Sequence, residues 1–253
     1  MTLKLLVLFL APLISGLFIF LVPKGKSSNF KLLLVFAGSY LFAITVIHIL
    51  PELYGQAGDL ELIGLFVLAG FFLQQFLEYF TSGVEHGHLH TDHHHHHDHH
   101  LHGHPPVSAL ILLFALCVHA FLEGGMLAQP VETGPVYDVN AILLGIVLHR
   151  APAAFALMTV LSVQLQSRRK ALPHLTAFSI SAPVGLLLGT YLSQNSILST
   201  TGLMYIYALV CGNFLHISTT IVFESSPEHK FNARKLAVAV TGALFAVAVE
   251  YIL

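Results

Sequence analysis

Eight long apolar runs, parted by short polar breaks, decide what this chain can fold into. They lie at roughly 2–22, 32–53, 61–81, 106–128, 139–165, 174–193, 201–223 and 235–253. Each is close to the ~20 helical residues that cross a hydrocarbon core, and each is too long and continuous for a strand. A backbone in lipid must satisfy its own N–H and C=O groups, so runs of this kind are expected as helices. The expected fold class is an all-α integral membrane protein, a bundle of eight transmembrane helices forming a single domain over 1–253. Composition agrees, because 55% of residues are hydrophobic and 9% are charged, too few charges to cover a soluble surface. A formal net charge of −2 argues against nucleic acid as a partner.

The first run resembles a secretion signal only in its length. No A-x-A-like cleavage site follows it, and Lys24 and Lys26 come after the apolar stretch rather than before it. It is expected to stay as a first helix. Cys117 and Cys211 both sit inside apolar runs. They are read as small buried hydrophobes rather than a disulfide or a Cys-based zinc site.

The loops carry an alternating charge. Lys24, Lys26 and Lys31 follow the first run, Arg168, Arg169 and Lys170 the fifth, and Lys230, Arg234 and Lys235 the seventh. The loops of the other face carry Asp59, Glu61, Glu132 and Asp138 with no Lys or Arg. Positive charge inside then puts the odd-numbered loops in the cytoplasm and both termini outside. The expected location is a cell (inner) membrane. The third loop, 82–105, is cytoplasmic on this scheme and rich in histidine, with Glu85, His86, His88 and His90 followed by His93 to His97 and on to His104. Being internal and interrupted by Asp92 and Asp98, it does not read as a tag. It is expected to be disordered and to chelate divalent metals loosely.

Ionisable groups inside apolar spans cost about 2.5–3.5 kcal/mol each at a helix centre, so those that occur are candidates for function. The fourth run contains His119-Ala120-Phe121-Leu122-Glu123-Gly124-Gly125. His119 and Glu123 are four positions apart, which stacks them on one helix face. An imidazole nitrogen and a carboxylate oxygen at that spacing suit a borderline divalent cation such as Zn²⁺. The fifth run contains His149-Arg150-Ala151-Pro152, and the proline loosens the helix beside His149. The second and seventh runs echo each other with His48 and Glu52 in one, His216 and Glu224 in the other. Those four are candidate pathway residues, with contact to headgroups or water as the plain alternative. Gln74, Gln75 and Glu78 are read as bundle-packing or interfacial.

Together these features resemble the ZIP family of zinc/iron transporters. That family has eight helices, both termini outside, a cytoplasmic histidine-rich third loop, and H-x-x-x-E and H-x-x-P motifs on helices 4 and 5. His119 with Glu123 and His149 with Pro152 match those motifs, in the form that writes a basic residue after the helix 5 histidine. The resemblance implies His119, Glu123 and His149 as metal ligands, and helices 1, 4, 5 and 6 moving against the rest. Many members hold a second metal through an acidic residue after that histidine and a glutamate after the proline. Arg150 and Ala153 stand there in this chain, and Ala120 stands where a polar residue often follows the helix 4 histidine. Arg150 is therefore read as a fixed charge in place of the second ion.

The expected function is uptake of Zn(II), with Fe(II) or Mn(II) as further candidates, into the cytoplasm. Zn(II) would be the transported substrate, with no organic cofactor. The expected partners are divalent metal ions and the lipid bilayer, and a homodimer is the assembly considered. No nucleotide-binding loop occurs, so ion gradients or cytosolic sequestration would drive transport. Two alternatives compete with this reading. Diffusion-facilitator efflux carriers typically have six helices and a soluble C-terminal domain. A membrane-embedded zinc hydrolase would use Glu123 as general base, but no H-E-x-x-H is present. The orientation has a direct test: in right-side-out vesicles, Ser27→Cys and Gln166→Cys should react only with permeant thiol reagents, and Gln56→Cys also with impermeant ones. The reverse pattern would invert the topology and favour efflux.

Overall fold

Residues 1–21, 28–56, 58–81, 109–129, 139–224 and 233–252 are described in the computed structural model, and every regular element among them is helical. Helix α1 (Thr2–Leu17) tightens into a 3-10 turn at Phe18–Phe20. Helix α2 (Ser28–Ile44) continues through a π-helical turn (Thr45–Ile49) into Leu50–Gln56. Then come α3 (Leu60–Thr81), α4 (Ala109–Met126), α5 (Val139–Gln164), α6 (Leu172–Gln194), α7 (Thr200–Glu224) and α8 (Ala233–Ile252). Each of the eight apolar runs thus holds one span. Seven are long and apolar enough to cross a membrane by length and composition, whereas the apolar part of α4 is the shorter Leu110–Met126. The expected fourth span, 106–128, is cut back at its C-terminal end. There Leu127 N–H donates to Gly124 O and Ala128 N–H to Gly125 O, bonds that tighten the last turn and stop the helix. The histidine-rich stretch 82–105 lies outside the described residues.

The helices pack as two groups. In one, α4 lies along α6 and α1 lies against α5 and α6; in the other, α3 lies along α7, and α2 against α8 and α7. The groups meet chiefly where α2 touches α5 and α3 touches α4. Exchanging α1–α3 with α6–α8, and α4 with α5, maps α1–α5 onto α6–α4 and α2–α8 onto α7–α3, and leaves α1–α6 and α2–α7 as they are. Such a pattern of neighbours is the one an internal repeat produces.

Small residues let the backbones close up within each group. A Cβ on Gly70 of α3 would run into the Leu209 carbonyl of α7, and one on Gly212 of α7 into the Val67 carbonyl of α3. In the other group, Gly124 backs onto the Ala182 carbonyl and Gly185 onto the Phe121 carbonyl. In lipid no hydrophobic force separates helix from solvent, so association depends on such close van der Waals approach and on hydrogen bonds between helices. Tyr40 Oη donates to Ala141 O at 3.0 Å across α2 and α5. Ser15 Oγ donates to Ala151 O, a hydrogen bond that links α1 to α5 next to Pro152.

Gly70→Ala and Gly212→Ala should each destabilise the fold by roughly 1–3 kcal/mol through overpacking. Gly55→Ala, which has nothing within 4 Å of the new methyl, should be neutral. The unfolding midpoint in detergent, read by a thiol-reactive fluorophore as buried Cys211 becomes accessible, checks both.

Candidate metal centre

Helix α4 presents His119 and Glu123 one turn apart, and α5 brings His149 beside them. All three are almost fully enclosed: His119 is 2% exposed, Glu123 0% and His149 1%. One ligand atom from each lies within 4.8 Å of the other two. His119 Nε2 and Glu123 Oε1 are 3.1 Å apart. The imidazoles of His119 and His149 meet edge to face, with centroids 5.8 Å apart and planes at 89°.

Those spacings suit a cation. Tetrahedral zinc with bonds of about 2.0–2.2 Å separates neighbouring ligand atoms by about 3.3 Å. The His119–Glu123 separation is near that value, and small side-chain rotations draw His149 in. Among the described residues neither carboxylate oxygen of Glu123 accepts a hydrogen bond, although both are buried. A buried anion in that state requires positive charge nearby.

Arg150 supplies part of it. Its Nε stands 3.7 Å from Glu123 Oε2, and the side chain is 1% exposed. At the other end Nη2 donates to the Phe178 carbonyl at 2.9 Å, and the guanidinium carbon lies 4.8 Å from the centroid of the Phe178 ring. One guanidinium thus reaches both an acid and a backbone carbonyl of a neighbouring helix. Arg150 holds α6 and Glu123 together.

The sequence model of the ZIP Zinc transporter family matches residues 1–250. This chain belongs to the ZIP zinc transporter family. Among curated proteins it is similar to Zinc transporter ZIP9 of Macaca fascicularis, 32% identical over 114 residues that make up 42% of this chain and 47% of that protein. Zinc transporter ZIP9-A of Xenopus laevis is 30% identical over 122 residues, 46% of this chain and 39% of the frog protein. The matched stretch therefore spans less than half of each relative's length. The expected fold class and family stand together: an all-helical membrane protein of ZIP type.

Among the described residues, none of the other candidates expected in this ZIP chain belongs to the His119–Glu123–His149 cluster. His48, within the π-helical turn of α2, places Nδ1 2.6 Å from Glu250 Oε1 of α8. His216 of α7 places Nε2 2.6 Å from Glu78 Oε2 of α3, its ring edge-on to Phe71 at 4.8 Å. The helix exchange that relates α2–α8 to α7–α3 carries one pair onto the other. Glu52 is exposed at the end of α2 and accepts from Gln56 Nε2 at 3.3 Å. The side chain of Glu224 lies outside the described residues.

Two participants escaped the sequence reading. Glu250 is the one acid in the last apolar run, a visible signal that was not used. Asn213, 0% exposed on α7, sits with its side-chain amide nitrogen 3.2 Å from His119 Nδ1. An asparagine embedded in an apolar span carries the same cost argument as an ionisable group and marks itself in that way.

Proposed function

We propose that this protein carries Zn(II) across its membrane into the cytoplasm, with His119, Glu123 and His149 as ligands of the ion in transit. The observation that carries the reading is the convergence of three enclosed ligand atoms from α4 and α5 within 4.8 Å, inside an apolar bundle. Two imidazoles and a carboxylate make a donor set suited to zinc, with water completing the shell. Fe(II) and Mn(II) bind the same donors more weakly and are the further candidates. The names of the curated relatives, all zinc transporters, support the same cargo.

Transport needs the site to face each side in turn. The grouping of α1, α4, α5 and α6 apart from α2, α3, α7 and α8 supports movement of the site-bearing group against the other. In our reading both termini face outward in a cell (inner) membrane, and the 82–105 loop buffers metal arriving in the cytoplasm. His48, Glu52, His216 and Glu224 flank the route. An ion passing His48 or His216 would displace a 2.6 Å hydrogen bond to a carboxylate. Arg150, already beside Glu123, takes the place of a second ion.

Radiolabelled zinc uptake into proteoliposomes tests the ligand assignment. His119→Ala, Glu123→Ala and His149→Ala should each lower uptake at sub-saturating zinc by about tenfold or more, since even outer-shell losses at metal sites reach that size. Helical content and expression should stay unchanged. Normal uptake by His149→Ala would remove α5 from the site. For Arg150, a protein lacking residues 85–104 should bind one tightly held ion per chain; two ions sharing Glu123, with Arg150 turned away, would end that assignment.

A further inference from the structure

The two ring nitrogens of His119 face different partners. Nε2 lies 3.1 Å from Glu123 Oε1, within the ligand cluster. Nδ1 lies 3.2 Å from the amide nitrogen of Asn213, which belongs to α7 in the other helix group. A neutral imidazole carries one N–H, and the nitrogen that holds it cannot give a lone pair to a cation. An ion on Nε2 therefore requires the proton on Nδ1, and a buried N–H there requires an acceptor.

The amide as it stands is turned the other way. Its NH2 donates to Nδ1, which fits the tautomer with the proton on Nε2. Asn213 Oδ1 is buried and has no hydrogen-bond partner among the described residues. A half-turn about the last side-chain torsion exchanges the two ends of the amide and sets Oδ1 against Nδ1. An amide is thus suited to both tautomers at one position, as a donor in the one and an acceptor in the other.

We propose that Asn213 is a positioning residue for the ion site: its amide sets which nitrogen of His119 carries the proton, and it turns over when a cation occupies Nε2. The inference rests on the reading of His119 as a ligand. It has a consequence for coupling, because the acceptor that commits Nε2 to the ion comes from the helix group that does not carry the ligands. Displacement of α4 along α7 withdraws that acceptor and loosens His119, so the ion is held most firmly where the two groups are docked as here.

The test is calorimetric titration of the full chain in detergent with Zn(II), taking as the intramembrane component the binding that His119→Ala removes. Asn213→Leu keeps the volume and loses both polar ends; it should weaken that component by about tenfold to a hundredfold, as removal of outer-shell partners does. Asn213→Asp keeps an acceptor for Nδ1–H and should bind within about threefold of the parent or more tightly, the order of change being well below a lost partner. A structural role would make the two variants alike, so equal weakening overturns the proposal, as does parental affinity in Asn213→Leu. If Asn213→Leu fails to fold, a tenfold loss in folded Asn213→Asp overturns it alone. Titrations left unchanged by both His119→Ala and His149→Ala would bring down the ion-site reading and this inference with it. An unchanged Asn213→Leu beside a weakened His119→Ala overturns this inference only.

Discussion

A carboxylate sealed inside an apolar bundle governs the centre of this molecule. Removing Glu123 from water costs several kcal/mol even after relaxation. At 3.7 Å the Arg150 guanidinium returns roughly 4 kcal/mol at an effective dielectric of about 20. That offsets a large part of the cost and leaves two carboxylate oxygens without hydrogen bonds. The lone pairs that stay open lie beside His119 and His149. In the proposed function a divalent cation is coordinated there, on the side of the carboxylate that Arg150 does not cover. Arg150 also ties the carboxylate to α6 through the Phe178 carbonyl, so the charge and the helix that shelters it are held by one side chain.

Around that centre the backbone packing sets how the bundle divides. Glycines bring α3 against α7 and α4 against α6 until each backbone touches the other's carbonyls. Contacts so close tolerate little sliding, whereas the seam between the groups is thinner and includes polar links such as Tyr40 to Ala141 and Asn213 to His119. Hydrogen bonds across a seam can be exchanged for others at modest cost, because each contributes about 0.5–1.5 kcal/mol net. The two histidine–carboxylate pairs, His48–Glu250 and His216–Glu78, lie within a single group at positions related by the internal repeat. They brace α2 to α8 and α7 to α3.

Much of this was legible along the chain. Apolar length marked the eight spans, and the helical period placed His119 and Glu123 on one face of α4, because both properties depend only on neighbours in sequence. The end of α4 was not legible: the apolar run continues through Leu127, but backbone bonds from Leu127 and Ala128 close the helix at Met126. The meeting of His149 with His119 was implied by a family motif and required the fold to become a distance. Asn213 and Glu250 carried a readable signal as polar groups in apolar spans, yet nothing local pointed to the partners they found.

The sequence by itself determined the solvent of this protein, the number of its spans, and the residue types available for chemistry. Hydrophobic transfer and backbone satisfaction are properties of single segments, so a linear reading captures them. Only the tertiary structure decided which charges meet. His48 finds Glu250 across 202 positions, His216 finds Glu78 across 138, and Asn213 reaches His119 across 94. Such pairings follow from which helices pack together and how far each is rotated. Glycine contacts and the internal repeat set those features, and no local pattern contains them.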